Sequence, residues 1–384
     1  MIKIKYILVF LIYFFIACKH DLRVVNDEPL ERILVPKLKN RVVNFSELFS
    51  SWKLVPLETN RNSVISKISR IQIFDNKFFL LDRNTNCVVV FNIDGKFLFR
   101  IKKGERGLGE YITLEDFTID EQNKRVILYV AGPYKIIYFD FLGKYISEKS
   151  YDALYANVSY SNGKLILLQL SGATDYILAA DDLKDGKRIS SLPVPKHYGL
   201  FESLRLASPN IIRSKNTYLS LLYMDTVFKI KDGRAFPRYF IDFGDRKMPD
   251  YIFDKGLSSL DVYKTAKKNG YGFALSNFSE NDKYVYFSYG ANIIVVYAKE
   301  KKQVFTFSSV MNIQNGLFFN NIIGHDGSDN YMISVLEASR FKRQLMAIDR
   351  KSSKWTGLPK SIKALDSSVT MLSNPIIQVY TMKD

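Results

Sequence analysis

Three sets of residues in this chain have the types and spacing to do chemistry. The first is the segment 104–111, in which Gly104, Gly107 and Gly109 alternate with Arg106, Glu110 and Tyr111. Its glycines permit positive φ and close backbone approach. Arg106 and Glu110 offer charge, and Tyr111 offers a stacking face. The segment reads either as a rim loop touching a ligand or as a turn in which Glu110 and Tyr111 lock neighbouring elements. No helix follows it, so it is not a phosphate loop. The second set is His197 and His325, both in Gly-containing turns, which are acid–base groups only if the fold brings them to one site. The third is the acidic pairs Glu115-Asp116, Asp120-Glu121, Asp181-Asp182, and Asp242 with Asp245. Glycoside hydrolysis needs two carboxylates about 5–10 Å apart across a cleft, but turn carboxylates that accept backbone N–H groups look the same in sequence. Two Cys and three His cannot build an ordinary zinc site. No dinucleotide or P-loop fingerprint occurs. No metal and no cofactor are expected.

The N-terminus carries an address. Lys3 and Lys5 precede an apolar run over residues 7–17 that ends in Ala17-Cys18. A basic start, a short apolar core and a small residue before the break are the parts of a secretory signal. The run is too short for a bilayer, which takes about 20 residues. Phe15-Ile16-Ala17-Cys18 resembles a bacterial lipobox, with Phe15 where leucine is usual. Cys18 is then the lipidation site and the membrane is a partner through that anchor. Each buried CH₂ adds roughly 0.8 kcal/mol, so more than one acyl chain anchors stably. A plain secretory signal with Cys18 incidental fits the same residues. The expected organisation is a lipoprotein signal over 1–17, a tether over 18–44 and one domain over 45–384. Cys87 lies in an apolar run, where a buried, inert thiol is expected.

The elements that must position these groups are strands. The 384 residues include 28 Phe and 24 Tyr, types that favour strands, and 47% hydrophobic with 24% charged residues marks a folded chain. Apolar runs at 69–74, 77–81, 87–92 and 97–101 are separated by turn signals, among them Asp94-Gly95. The format recurs over 114–119, 125–130, 135–140 and 144–148. Val-Phe-Asn-Ile-Asp-Gly-Lys-Phe at 90–97 matches Tyr-Phe-Asp-Phe-Leu-Gly-Lys-Tyr at 138–145 in pattern. A unit of about 40–50 residues with four strands is a propeller blade. Further units near 155–192, 210–243, 271–307 and 317–358 bring the count to six. The insert at 245–269 is the one place where a short helix is expected. The predicted fold is all-β, a six-bladed β-propeller of four-stranded antiparallel blades. To close the ring, residues 52–58 are expected to add a strand to the last blade beside 375–380.

A series of motifs then points to a known family. Leu-Val-Pro-Leu-Glu-Thr occupies 54–59, the Asn-Ile-Asp-Gly-Lys turn follows at 92–96, and then the glycine-rich segment at 104–111. Asp-Thr-Val-Phe-Lys-Ile lies at 225–230, Pro-Arg-Tyr-Phe-Ile-Asp-Phe-Gly at 237–244 and Ser-Asn-Pro at 373–375. This order resembles the six-bladed β-propeller lipoproteins of gut and oral Bacteroidota, related to NHL-repeat and TolB-like propellers. Leu108 stands where that family usually has proline in Gly-Pro-Gly-Glu-Tyr. The resemblance implies an exported, lipid-anchored propeller and no settled activity. Related lyases and lactonases use metal and channel residues, and no matching set occurs here.

The chain has 55 Lys+Arg against 39 Asp+Glu, a formal charge of +16. Two loose clusters, Lys264/Lys267/Lys268 and Lys299/Lys301/Lys302, do not make the concentrated patch that nucleic acid requires. Solvated lysines at β-edges suppress edge pairing. Anionic glycans or lipopolysaccharide phosphates would be attracted in a salt-dependent way. The expected role is a ligand- or partner-binding or scaffold module of the cell envelope, on the periplasmic or cell-surface face of the outer membrane. Its partner is expected to be a glycan, a peptide or an envelope protein, and Arg106, Glu110 and Tyr111 are the candidate contacts. The alternative is a channel-mouth hydrolase or lyase on a glycan-derived or peptide substrate.

Overall fold

Asp75 and Asn76 both take left-handed backbone, φ 50° and 53°, and fold the strand Lys77–Asp82 back onto Arg70–Phe74. The next hairpins share a side-chain device. Asn92 Oδ1 accepts from the backbone N–H of Asp94 and Lys96 at 3.1 and 2.8 Å. Asp140 Oδ1 accepts from Leu142 and Lys144 at 2.9 and 2.8 Å. Gly95 and Gly143 supply φ of 85° and 79°, which side chains resist. The repeat read in the sequence is thus a repeated turn, with the carboxylate or amide standing in for a backbone acceptor.

The computed structural model describes residues 28–38, 42–104, 108–151, 153–169, 175–199, 211–213, 216–290, 293–312, 317–319 and 331–383. They form a six-bladed β-propeller. Blade 1 is Arg70–Phe74, Lys77–Asp82, Cys87–Asn92 and Phe97–Lys102. Blade 2 is Thr113–Asp120, Arg125–Ala131, Lys135–Asp140 and Tyr145–Ser150. Blade 3 is Tyr155–Ser161, Lys164–Gln169, Tyr176–Asp182 and Arg188–Pro193. Blade 4 has Ile211–Arg213, Thr217–Leu219, Thr226–Lys231 and Arg234–Asp242. Blade 5 has Ser276–Glu280, Tyr284–Tyr289, Ile293–Ala298 and Gln303–Phe307. Among the described residues blade 6 has Tyr331–Leu336, Ile376–Met382 and Phe49–Pro56.

The middle strands are continuously apolar because both their faces are covered. Phe79, Val88 and Val90 of blade 1 pack on Phe117, Leu128 and Ile137 of blade 2. The alternate residues Phe78, Leu80 and Val89 point the other way, to Ile333 and Ile377 of blade 6. Each such side chain contributes about 1.5–3 kcal/mol. Outer strands face water, and Tyr145–Ser150 is almost wholly exposed.

The expected latch is present. Phe49–Pro56 pairs antiparallel with Ile376–Met382, with Trp52 opposite Tyr380 and Pro56 opposite Ile376. Asn374 stitches the two chain ends together. Its Oδ1 accepts from Ile65 N at 2.9 Å, and its Nδ2 donates to the carbonyls of Glu58 and Ser63, both at 2.8 Å. The Pro-Leu-Glu motif joins blade 6 to blade 1: Glu58 N donates to Gly95 O at 2.8 Å and Glu58 Oε2 accepts from Phe97 N at 3.0 Å. A Cβ on Gly95 would lie 2.2 Å from Pro56 O, so only glycine fits there.

Two expectations need correction. Residues 18–44 are not all tether. Glu31–Leu34 pairs in parallel with Arg234–Asp242 as a fifth strand of blade 4, and Val42–Asn44 pairs with Ser309–Asn312. Ile33 and Val35 enter the core between blades 4 and 5, while Arg32 bonds Asp242. Burial of these apolar residues and pairing of an open edge hold the segment down. The sixth unit also differs from the 317–358 reading. Between its strands lie helices Ala338–Met346, Ser353–Thr356 and Lys360–Ser368. Phe341/Leu345 and Leu358/Ile362/Leu365 have helical spacing and form one buried cluster with Ile348. The expected helix of the other insert is Ser259–Asn269, capped by Ser258 and ended by Gly270 at φ 68°.

Candidate functional site

The antiparallel order fixes two faces. Tight turns joining strands 1–2 and 3–4 of each blade share one face, here the hairpin face. Strand 2–3 turns and blade-to-blade connections share the other, the long-connection face. The innermost strands surround the axis between them.

Among the described residues, buried polar groups join the innermost strands of blades 1–4 at this axis. Arg70 of blade 1 and Asp116 of blade 2 have side chains only 4% and 0% exposed. Arg70 Nη1 donates to both Asp116 oxygens at 3.0 and 2.8 Å and to Val158 O of blade 3 at 3.0 Å. Its Nη2 reaches Ile211 O of blade 4 at 3.4 Å. Asp116 Oδ2 also accepts from Val158 N at 3.0 Å and Asn157 Nδ2 at 3.1 Å. One layer over, Thr118 Oγ1 accepts from Tyr160 N at 2.9 Å and Gln72 Nε2 donates to Phe117 O at 3.3 Å. A buried ion pair is tolerated only with such further hydrogen bonds. The arrangement joins four blades and offers no open carboxylate to a substrate.

The long-connection face carries the segment 104–111, and of its two readings Tyr111 follows the locking one. Tyr111 is 3% exposed, packed in the core between blades 1 and 2. Its hydroxyl donates to Asn86 O at 2.8 Å, and burial raises its pKa. Tyr111 therefore gives no stacking face to a ligand; it locks two blades. Gly104 N donates to Gly109 O at 2.9 Å, closing the loop, and a Cβ on Gly104 would sit 1.8 Å from Leu108 O. Glu110 is exposed. Arg106 lies outside the described residues, as do Cys18 and His325.

Cations take up most carboxylates of the acidic pairs. Asp120 is held by Arg125 at 2.5 Å, Asp181 by Arg188 at 2.6 Å and Asp182 by Lys164 at 2.7 Å. The Lys164 hydrogen bond brings the Asp182 carboxyl down to about 2. Asp242 takes Arg32 and Asp245 takes Lys37. Cys87 is 1% exposed, 3.1 Å from Thr85 Oγ1, and burial pushes its thiol up. His197, at φ 68°, stacks on Phe253 with ring centroids 5.6 Å apart and places Nε2 3.3 Å from Asp254 Oδ1. It belongs to the aromatic packing under the 244–275 insert. Among the described residues no group of three His, Cys, Asp or Glu could hold a metal.

Two features escaped the sequence reading. One is the Arg70–Asp116 plug, whose partners come from four separate runs of chain. The other is Asp225 on the long-connection face. Burial pushes its carboxyl up to about 6, against the opposing pull of Lys247 4.0 Å away. The exposed large apolar side chains are also segregated. Among those borne by connections, Val64, Leu108, Ile112, Tyr134, Tyr251 and Leu372 lie on the long-connection face, against Leu142 on the hairpin face. Leu372 is 91% exposed and Ile112 75%.

Known structures share this architecture. A putative exported protein of Bacteroides fragilis superposes with TM-score 0.70 at 14% identity, covering 92% of this chain and 99% of that one. A member of the DUF4221 family from Bacteroides vulgatus gives TM-score 0.46 at 9% identity, covering 88% and 97%. At these identities the likeness concerns the fold alone. Among curated proteins none matches the chain. In sequence, residues 32–381 match the family described as a domain of unknown function, DUF4934, from the parallel strand on blade 4 to the last strand of blade 6, and the chain belongs to that family.

Proposed function

We propose that this protein is an exported lipoprotein propeller of the NHL/TolB-like kind. In this reading Cys18 anchors it to the outer membrane, and the long-connection face binds a peptide or an envelope-protein partner. One observation carries the binding reading. Arg70 and Asp116 are buried and tied to each other and to blades 3 and 4, while exposed apolar side chains lie on the face built from the longest connections. Solvent-exposed apolar groups on a rigid frame are what a partner buries. The exported status of the Bacteroides fragilis relative supports the envelope location.

The test places a photo-crosslinking residue at Ile112, Tyr134 or Leu142 in cells. A discrete partner band at Ile112 and Tyr134, and none at Leu142, is expected; equal labelling at all three refutes the reading. Replacing Cys18 by Ser should move the protein from the membrane to the soluble fraction, and an unchanged distribution refutes the anchor. The hydrolase or lyase reading is favoured by Asp225 alone, a carboxyl titrating near neutrality. Loss of glycan or peptide turnover in Asp225→Asn, with folding intact, would establish it.

A further inference from the structure

On the hairpin face, Ser161 and Asn162 of blade 3 and Arg213, Asn216 and the third strand of blade 4 line a cleft of about 260 Å³. Among its described lining residues the cations outnumber the carboxylates. Arg213, Lys229 and Lys231 line it, and Glu28 is the one lining carboxylate. Asn162 and Asn216 add amides, and half-buried Phe236 forms an apolar wall.

The cations are positioned by the fold. Arg213 follows the innermost strand of blade 4. Glu121 holds its guanidinium at 2.6 Å, and the guanidinium stands 5.9 Å from the centre of the Tyr160 ring. Lys229 is 18% exposed and bonds Glu28, which Arg238 also holds at 2.9 Å. Lys231 ends the same strand and faces solvent. Ordering these long side chains in advance lowers the entropy cost of binding. A guanidinium presents a planar fork to two oxygens, an ammonium adds a point charge, and amide N–H groups complete a tetrahedral set. Pockets for drug-sized ligands run from about 300 to 1,000 Å³, so this volume suits a small anion. Phe236 suits the organic part of an ester.

We propose that the cleft between blades 3 and 4 binds a phosphate group. This does not depend on the partner reading, which concerns the opposite face. A soluble phosphate monoester and a phospholipid headgroup present the same chemistry, so the experiment has two arms. The full chain is purified and titrated with inorganic phosphate at constant ionic strength, followed by calorimetry. Saturable one-to-one binding is expected, weakened at least tenfold in Arg213→Gln and in Lys231→Gln. It should be unchanged in Lys301→Gln, a basic residue of the neighbouring blade's hairpin. If Arg213→Gln fails to fold, Lys231→Gln, at the surface, carries the test. In the second arm, binding to phosphatidylglycerol vesicles that phosphate competes away identifies a headgroup. Phosphate binding without vesicle binding identifies a soluble ester. Wild-type affinity in the Arg213 and Lys231 variants, equal weakening by Lys301→Gln, or no binding of phosphate overturns the proposal.

Discussion

Substituting Asp116 by Ala tests the reading of the channel as a structural plug. The change removes the acceptor of two Arg70 hydrogen bonds and of the Val158 N–H and Asn157 amide bonds. It leaves a guanidinium 4% exposed with no counter-charge from Asp116. Breaking one side of a buried pair costs about 3–5 kcal/mol, and the orphaned Val158 N–H lies within that range. With an unfolding entropy of about 2.1 cal/mol/K per residue over roughly 350 residues, a 4 kcal/mol loss lowers Tm by about 5 °C. The double variant Arg70→Met/Asp116→Leu removes both charges and fills the space with apolar groups. It should be much less harmful than the sum of the single changes, because the desolvation cost of both ions goes with them. Urea unfolding of the wild type, both single variants and the double variant measures the coupling directly. A loss below about 1 kcal/mol for Asp116→Ala, or additive single changes, refutes the plug and reopens the channel as a site.

Asn374→Ala should cost about 3 kcal/mol in urea unfolding, because three side-chain hydrogen bonds holding the ring closed are lost and their partners stay buried. Deleting residues 49–56 should abolish folding, seen as loss of near-ultraviolet circular dichroism. Tyr111→Phe should cost about 1 kcal/mol, the price of one hydroxyl bond to Asn86, and leave partner crosslinking at Ile112 unchanged. Asp225 gives a pH signature. Its folded pKa of about 6 lies above the unfolded value near 3.8, so its contribution is most favourable below pH 3.8 and is lost as pH rises through 6. Asp225→Asn should therefore gain about 3 kcal/mol over wild type at pH 7 and little at pH 3.8, measured by urea unfolding at the two pH values.

What the sequence could reveal follows from how far each interaction reaches along the chain. Hairpins are local: Asn92 and Asp140 bond residues two and four positions on. The strands of blades 1 and 2 are accordingly legible within a residue or two of their ends, and blades 3–5 as units. The latch was legible because only one apolar strand was left over at each end of the chain. The helices of residues 338–368 are not, since Phe341 and Leu345 fall inside the 317–358 run read as a unit of strands in a chain otherwise built from strands. The site was the least legible part. Tyr111 has the residue type of a ligand contact and of a lock alike, and its burial between blades 1 and 2 decides for the lock. Arg70 and Asp116 lie 46 positions apart, with their further partners at 157, 158 and 211. No spacing rule in the chain joins them.

The parallel pairing of Glu31–Leu34 links the two proposals. Arg234–Asp242 starts at a hairpin and ends at a blade-to-blade connection, and Glu31 pairs with Tyr239 while Leu34 pairs with Asp242. The earlier residue of the N-terminal strand is thus nearer the hairpin face, and Glu28 sits at the phosphate cleft beside Lys229. Glu28 lies ten positions after Cys18, a reach of at most about 36 Å when extended. If Cys18 carries the proposed anchor, Glu28 and the hairpin face of blade 4 lie within that reach of the bilayer, an arrangement that leaves the apolar long-connection face outward. A headgroup in the cleft and a protein partner on the far side then do not compete. Lengthening the chain between Cys18 and Glu28 by a flexible insert should relax this orientation: vesicle binding through the cleft weakens by dilution of the effective concentration, while crosslinking at Ile112 persists. If crosslinking at Ile112 falls with linker length, the partner lies in the membrane, and the assignment of the two faces is wrong.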